Sequence, residues 1–152
     1  ALVAAALLAG CTSQDGHKTG HTPPPTTEAK APAPASATWD AESHTSAQKA
    51  AAKLLTTWSR PSLSYEQWWA DLKGLLSPEA RESYSYTDPD TVPAIKITGA
   101  GVETNNDNPY VVTVTFPTTH GSFGVDLSRS SLHGRWIGES IIFPGESSRL
   151  QG

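Results

Sequence analysis

The sequence predicts an α+β domain in which two or three N-terminal helices cover one face of a four-stranded antiparallel meander sheet. Apolar residues recur every three or four positions up to about Tyr84, which is typical of amphipathic helices. From Ile95 onward they alternate every second position, and short turn-rich links separate the alternating segments. Helices followed by consecutive antiparallel strands form the usual α+β arrangement.

Length and charge limit the classes of function. A chain of 152 residues is long enough for one domain. Its 11 Lys and Arg residues are outnumbered by 15 Asp and Glu residues, and no basic run occurs. Because nucleic-acid binding depends on neutralising phosphates, we expect no nucleic-acid partner. The single cysteine excludes an internal disulfide framework and a thiolate zinc cluster, and we expect no metal and no cofactor.

The N-terminus carries the sharpest sequence signal. Residues 1–10 are uncharged and mostly apolar, and Cys11 follows them directly. Ten residues are too few to span a bilayer, which needs about 20, but they fit the apolar region of a signal peptide. A buried core helix is the alternative, yet the polar sequence that follows offers it nothing to pack against.

Leu8-Ala9-Gly10-Cys11 resembles the lipobox of bacterial lipoproteins. The resemblance implies that residues 1–10 are the C-terminal part of a signal peptide that is cleaved before Cys11. It also implies a diacylglyceryl thioether on the Cys11 thiol and retention at the outer face of the cell membrane. A lipid with two acyl chains anchors a protein stably.

The composition changes abruptly after Cys11. Residues 12–38 are rich in Thr, Pro and Ala and contain no large apolar side chain, so they cannot bury enough surface to offset the entropy of ordering. We therefore expect residues 11–38 to comprise the lipidated cysteine and a disordered tether, and residues 39–152 to form one domain. His17 and His21 are four residues apart in the tether, but a metal site needs further ligands and a rigid frame.

Three helices are predicted in the first half of the domain. The first covers 45–59, where apolar residues share one face, and Pro61 ends it. The second has Ser64 as its N-cap and continues to Leu76. The third begins after Ser77, has proline in its first position and runs to about Tyr84.

Four strands are predicted in the second half. The first contains Ile95 and Ile97, and the others cover 110–116, 122–127 and 136–143. The links between the last three strands are short and rich in Asn, Gly, Ser and Thr, as hairpins require.

This order of elements resembles the cystatin-like roll of nuclear transport factor two-like domains. The same order occurs in extracytoplasmic assembly-factor domains of type IV secretion and conjugation machines. Trp58-Ser59-Arg60-Pro61, followed by Trp68-Trp69 and Asp88-Pro89, is similar to a pattern in uncharacterised actinobacterial envelope proteins. The resemblance covers roughly residues 39–144 and supplies no catalytic residue.

Glu139 is the weak candidate for a catalytic residue. Alternation along the fourth strand places it on one face with Ile137, Ile141 and Phe143. If that face is the core, Glu139 is the single interior carboxylate, where burial would shift its pKa. The favoured interpretation places it instead at the open end of the sheet, paired with Arg135 or hydrated.

The histidines and serines give weaker signals. We expect His44, His120 and His133 to be hydrated loop residues. Ser130 and Ser131 lie close to His133 in the sequence, but they lack the Gly-x-Ser-x-Gly elbow of a serine nucleophile.

Tryptophan is the remaining lead, because five occur in this short chain. Trp58, Trp68 and Trp69 flank the apolar faces of the first two helices, so much of their area should be core. An indole N–H needs a partner and favours the rims of pockets and interfaces, so Trp58, Trp68 and Trp69 are the candidates for a binding surface. Trp68 and Trp69 lie at opposite edges of one helix face, so at least one should reach the rim, and we expect it to be Trp69.

Three functions remain open at this point. The favoured one is a non-enzymatic binding or assembly module of the cell envelope, such as an accessory of a conjugation or secretion machine, with an envelope protein as partner. The second is a lipoprotein that binds a small ligand or the cell wall through the apolar interior of the roll. The third is a cavity enzyme. A filled core with an exposed aromatic patch favours the first, and an apolar cavity favours the second.

Overall fold

The structure, a computed structural model, describes residues 39–146. The predicted signal peptide, Cys11 and the predicted tether up to residue 38 lie outside the described residues, as do residues 147–152. None of the helices described combines the length and the apolar character that a membrane crossing requires.

Three helices precede four strands. They are α1 (Ala41–Trp58), α2 (Tyr65–Leu72), α3 (Pro78–Tyr84), β1 (Val102–Thr104), β2 (Val111–Thr118), β3 (Gly121–Ser128) and β4 (Ile137–Ile142). Short 3₁₀ turns cover Lys73–Leu75 and Pro89–Thr91. The strands form one antiparallel sheet in the order β1-β2-β3-β4. The predicted α+β class, with helices first and an antiparallel meander second, is confirmed.

Helix α1 begins one turn earlier than predicted. Asp40 is its N-cap, and the Asp40 carboxylate accepts a hydrogen bond from the backbone N–H of Ser43 at 2.7 Å. This contact satisfies one of the amide groups that a helix start leaves unpaired. The sequence predicts a start at Thr45 because apolar residues become frequent on one helix face only from there. The signal for the earlier start is Asp40, a good N-cap residue that lies two positions after the end of the predicted tether.

The second predicted helix is divided in two. Ser64 caps α2 as predicted and accepts from the Gln67 N–H at 3.4 Å, but the α-helix ends at Leu72 and a 3₁₀ turn completes it. Leu76 is extended and makes a parallel bridge to Gly138, so the chain must leave the helix before that contact. The third helix is confirmed, with Ser77 accepting from the Ala80 N–H at 3.1 Å.

The prediction of the first strand is wrong. Strand β1 lies at Val102–Thr104, and Ile97 makes only an isolated bridge to Thr118. A Cβ atom at Gly101 would lie 2.7 Å from side-chain atoms of both Phe116 and Val114, so only glycine permits this approach of the chain to β2. The apolar alternation at Ile95 and Ile97 reflects packing against the core and not a ladder.

A β-bulge changes the alternation in β4. Leu127 pairs with Gly138 and Asp126 pairs with Ser140, so Glu139 is the extra residue on the bulged strand. Gly138 is therefore buried, and Ile141 is buried three positions later instead of two. The predicted shared face of Ile137, Glu139, Ile141 and Phe143 is consequently wrong, because a period of two holds only where no residue is inserted.

The helices pack tightly on the inward face of the sheet. A Cβ atom at Gly138 would overlap Cδ2 of Leu54 and approach the Leu75 carbonyl oxygen at 3.2 Å. The residues of the core share near-complete burial: Ala47, Ala51, Leu54, Leu55, Trp58, Trp68, Leu72, Leu76, Ala80, Val92, Ile95, Val112, Val114, Phe116, Phe123, Val125, Leu127, Trp136 and Ile141. Apolar side chains thus fill the space between helices and sheet.

Helix α3 covers the free edge of β4. The Ser77 N–H donates to the Gly138 carbonyl oxygen at 2.9 Å, and the Ile141 N–H donates to the Tyr84 hydroxyl at 2.8 Å. Burial raises the pKa of Tyr84 above its ordinary value of 10.0, and the nearby carboxylates of Asp126 and Glu146 add to the increase. The hydrogen bond from Ile141 opposes this increase.

We expect Tyr84→Phe to lower the free energy of unfolding by about 1 kcal/mol, because the Ile141 N–H loses its partner. A tyrosine whose pKa is raised by folding stabilises the protein below the pKa of the unfolded chain, and this contribution is lost as the pH rises through the folded-state pKa. The wild type should therefore lose stability above about pH 10 more steeply than Tyr84→Phe. Urea titrations at pH 7 and pH 10.5 measure both effects, and identical alkaline slopes would contradict the second.

Candidate functional site

Two of the three tryptophans predicted at a binding surface lie in the core. Trp58 is 2% exposed and Trp68 is fully buried. The Trp68 Nε1–H donates to the Trp58 carbonyl oxygen at 2.7 Å, which joins α2 to the end of α1. Neither indole can meet a partner from this position, so the prediction of Trp58 and Trp68 as surface residues is wrong. Helix amphipathicity alone could not show that α1 would cover this side of α2.

Trp69 is the tryptophan at the rim, as the helix arc predicted. It is half-buried, and its ring lies 6.3 Å from the Tyr65 ring at an angle of 12°. The Tyr65 side chain is exposed, and its hydroxyl donates to the Ser85 carbonyl oxygen at 2.7 Å, which fixes the ring. We refer to Tyr65 and Trp69 as the aromatic edge. An ordered aromatic pair at the surface is typical of residues that anchor a partner.

The motif that begins at Trp58 has structural roles. The Ser59 hydroxyl donates to the Pro93 carbonyl oxygen at 2.6 Å and accepts from the Ile95 N–H at 2.7 Å. This buried hydroxyl ties the end of α1 to the segment that precedes the sheet. Arg60 forms an exposed ion pair with Asp71 at 2.9 Å, and such pairs contribute little to stability.

Glu139 lies on the outer face of the sheet. Its carboxylate accepts from the Ser128 hydroxyl at 2.5 Å, and Ser128 is on the face opposite the core residue Leu127. Arg135, the partner of Glu139 expected from the sequence, donates instead to the Gly74 carbonyl oxygen. The bulge thus keeps Glu139 out of the interior, so the condition under which it was a catalytic candidate is not met, and its partner is Ser128 and not Arg135.

Asp126 belongs to the same outer face. It accepts from the Thr113 hydroxyl at 2.6 Å and from the Ser140 hydroxyl at 2.7 Å, so three neighbouring strands are joined by one carboxylate. Both Asp126 and Glu139 therefore have hydroxyl donors on adjacent strands, and these contacts tie together strands β2, β3 and β4.

A buried carboxylate that sequence reasoning missed lies at the inward face of β1. The Glu103 side chain is only 8% exposed and accepts from Gln48 Nε2 at 3.1 Å, and its Oε2 lies 2.5 Å from His44 Nδ1. His44 is in α1 and not in a loop, which corrects its prediction. His44 and Gln48 are four residues apart, so their shared helix face is predictable from the sequence. Their common partner Glu103 is more than 50 residues away, and for this reason the contact was not predicted.

An aromatic and guanidinium cluster joins the start of α1 to the sheet. The rings of Trp39 and Trp136 stack at 5.3 Å, and His44 stacks on Trp39 at 5.0 Å. Arg129 is 6% exposed, and its Cζ lies 4.4 Å from the centre of the Trp136 ring. Its guanidinium also donates to the Pro109 carbonyl oxygen and the Ser43 hydroxyl. Such cation–π contacts strengthen when they are removed from water.

A polar pocket of about 270 Å³ lies beside this cluster. Hydrogen bonds to Asp40, first from the Ser43 backbone N–H and then from the Ser43 hydroxyl, lower the pKa of this carboxyl, and the charges of His133 and Arg129 lower it further. Asp40 is therefore ionised near neutral pH. The pocket thus presents charges of both signs, and its lining residues are Asp40, Glu42, Ser43, Ser46, Arg129, Leu132, His133, Gly134 and Arg135.

A second pocket of about 220 Å³ shares Arg135 with the first. Its lining is mostly apolar and consists of Ala50, Lys53, Leu54, Leu75, Leu127, Arg135, Trp136 and Gly138. Because both pockets are lined by residues of α1 and share Arg135, we refer to them together as the groove along α1, with a polar end and an apolar end. Sequence analysis missed this groove, because its walls come from α1, the 3₁₀ turn after α2, and the β3–β4 hairpin.

The other predicted residues do not gather into a site. His120 contacts Thr119 in an exposed turn, and Ser131 accepts from the Gly134 N–H through its carbonyl oxygen within the β3–β4 hairpin link. Within residues 39–146, no three His, Cys, Asp or Glu side chains are grouped as a metal site would require.

Comparison with known proteins gives no relative: no family model, no curated protein and no solved structure matches this chain.

We expect the two adjacent tryptophans of α2 to respond differently to truncation. Trp68→Ala should cost about 3–5 kcal/mol, because it leaves a large cavity and removes a buried hydrogen bond to the Trp58 carbonyl oxygen. Trp69→Ala should cost about 1 kcal/mol, since part of its ring is already in water. Chemical denaturation of both variants gives the comparison. Equal and large losses would show that Trp69 is a core residue and not part of a surface.

Proposed function

We propose that this chain is a membrane-anchored extracytoplasmic lipoprotein whose domain is a non-enzymatic binding or assembly module. The observation that carries the binding role is the aromatic edge: Trp69 and Tyr65 form an ordered and partly exposed pair. The Tyr65 hydroxyl is held by the Ser85 carbonyl, so its ring is already oriented. An aromatic side chain that is rigid before binding loses little conformational entropy when a partner covers it.

The packing of the core supports a surface role over an interior one. A small ligand inside the roll would need space between α1 and the sheet. The apolar pocket beside α1 has a volume of about 220 Å³, which is smaller than the 300–1,000 Å³ that is common for drug-sized ligands. The side chains in the centre of the roll, such as Val114 and Val125, are fully buried against other core residues. Binding of a drug-sized ligand in the apolar interior therefore has less support than binding of a partner at the surface.

The finer fold assignment is part of the proposal. Three helices followed by a four-stranded antiparallel meander agree with the element order of the cystatin-like roll and of nuclear transport factor two-like domains. Assembly-factor domains of conjugation and secretion machines have this order, and an accessory role in such a machine, with an envelope protein as partner, follows from the analogy alone.

The lipid anchor is tested at Cys11. Cys11→Ser should abolish incorporation of a labelled fatty acid, since the thiol is the acceptor that the lipobox resemblance implies. The variant should then remain with an uncleaved signal peptide or be released from the membrane fraction. Metabolic labelling followed by membrane fractionation provides the measurement. Lipid incorporation in Cys11→Ser at the wild-type level would refute the anchor.

The aromatic edge is tested separately with a matched control. Tyr65 and Tyr110 are both 38% exposed, so Tyr65→Ala and Tyr110→Ala remove the same ring from positions of equal exposure. If the aromatic edge anchors an envelope protein, Tyr65→Ala and Trp69→Ala should weaken its binding by roughly tenfold or more, because anchors of this kind contribute at least 1–2 kcal/mol. Tyr110→Ala should have no effect.

The measurement is quantitative co-purification from a crosslinked membrane of the bacterium that makes the protein, followed by binding of the recovered partner to purified domain. Loss of binding in Tyr110→Ala to the same degree as in Tyr65→Ala would contradict a role of the aromatic edge.

A further inference from the structure

The groove along α1 has an uneven distribution of charge. Its polar end holds the carboxylates of Asp40 and Glu42, and Arg135 stands where the polar and apolar pockets meet. Within residues 39–146 the arginine that forms an ion pair is Arg60, with Asp71, so no carboxylate pairs with Arg135. Anionic and cationic groups thus face the same groove without neutralising each other in a direct pair.

Arg129 adds unused hydrogen-bonding capacity at the same place. It lines the polar pocket, is 6% exposed and has no partner for its Nη2 group among the described residues, although Nε and Nη1 are both bonded. A buried guanidinium nitrogen without an acceptor is uncommon in folded proteins. An anionic ligand near Arg135 would bring negative charge close to both guanidinium groups.

We propose that this groove binds a short hydrophobic peptide as a zwitterion. The ammonium group of the peptide lies near Asp40 and Glu42, its carboxylate lies at Arg135, and its apolar side chain enters the pocket between α1 and β4. That pocket is lined by side chains suited to an aliphatic group, including Leu54, Leu75 and Trp136. Arginine is well matched to a carboxylate because its planar fork can donate two parallel hydrogen bonds.

The size of the groove limits the ligand to about two residues. The two pockets have volumes of about 270 Å³ and 220 Å³, each smaller than the 300–1,000 Å³ that is common for drug-sized ligands.

A zwitterionic ligand also accounts for the presence of both signs of charge in the groove. A simple anion would be repelled by the carboxylates at the polar end, and a simple cation would be repelled by Arg135.

This site is independent of the aromatic edge. None of its lining residues is Tyr65 or Trp69, so the groove can bind a peptide whether or not the aromatic edge contacts a protein. The proposal therefore adds a small-molecule site to the domain and does not rest on the function proposed above.

The experiment titrates four probes into ¹⁵N-labelled protein and follows the backbone amide signals. The dipeptide Ala-Leu has all three recognised groups, N-acetyl-Ala-Leu lacks the ammonium, Ala-Leu amide lacks the carboxylate, and Ala-Gly lacks the apolar side chain. We expect Ala-Leu to shift the amides of Ala50, Arg135 and Gly138 in a saturable way, with a dissociation constant of about 1 mM or lower. Each of the other probes should bind roughly tenfold more weakly.

Variants assign each group to its partner. In Arg135→Gln, Ala-Leu and Ala-Leu amide should bind with equal affinity, because the guanidinium group that recognises the carboxylate of the dipeptide has been removed. In Asp40→Asn, the dissociation constants of Ala-Leu and N-acetyl-Ala-Leu should become more similar, because one of the carboxylates that attracts the ammonium group is gone. Asparagine is also a good N-cap residue, so the helix start should be preserved. Ala50→Glu should block the apolar pocket, since Ala50 lies at its lining on a half-buried position of α1. Lys96→Gln removes an exposed positive charge away from the groove and should change nothing.

Three results would overturn the proposal. The first is no saturable shift with Ala-Leu at about 10 mM, a concentration that would fill most of a site of this affinity. The second is equal binding of all four probes by the wild type. The third is an Arg135→Gln variant that still distinguishes the dipeptide from its amide while retaining the wild-type melting temperature.

Discussion

The position of α1 over the sheet depends on the absence of a side chain at Gly138. Because Leu54 occupies the space that a Cβ atom would need, the helix axis lies close to β4 and its apolar face is fully covered. Interiors packed at this density leave little room for adjustment. The close approach also decides what the two ends of the helix meet. At one end Trp58 receives the indole N–H of Trp68, and at the other His44 meets Glu103.

The class of the fold was accessible from the sequence because it depends on periodicity, and periodicity is local. The caps at Ser64 and Ser77 were predictable for the same reason, since each motif is complete within four residues. The first strand was misplaced because burial against a helix and pairing in a sheet both produce alternating isoleucines. The face of Glu139 was misassigned because one inserted residue reverses every later position in a strand, and nothing in the local sequence marks a bulge.

The candidate site was less predictable than the fold for a related reason. Trp69 could be placed at the rim from the arc of one helix, because the position of a residue on a helix face needs no knowledge of other elements. The contact between His44 and Glu103, and the groove beside Arg135, each join elements that are far apart in the chain. Such groups meet only after the helix has packed on the sheet. The local pattern at Trp58-Ser59 has structural roles in the described residues, since its hydrogen bonds join α1 to α2 and to the segment before the sheet.

The two edges of the sheet are closed in different ways, and together they keep the domain from growing by strand addition. Along β4, Ser77 and Tyr84 occupy backbone groups that an incoming strand would need. At the other edge, β1 is only three residues long, and its central side chain, Glu103, points inward as a carboxylate. Short edges and inward-pointing charges are known protections against edge-to-edge aggregation. If the proposed lipid anchor holds these molecules side by side on a membrane, they collide at high local concentration, and a domain with these edges can be displayed densely without forming intermolecular sheets.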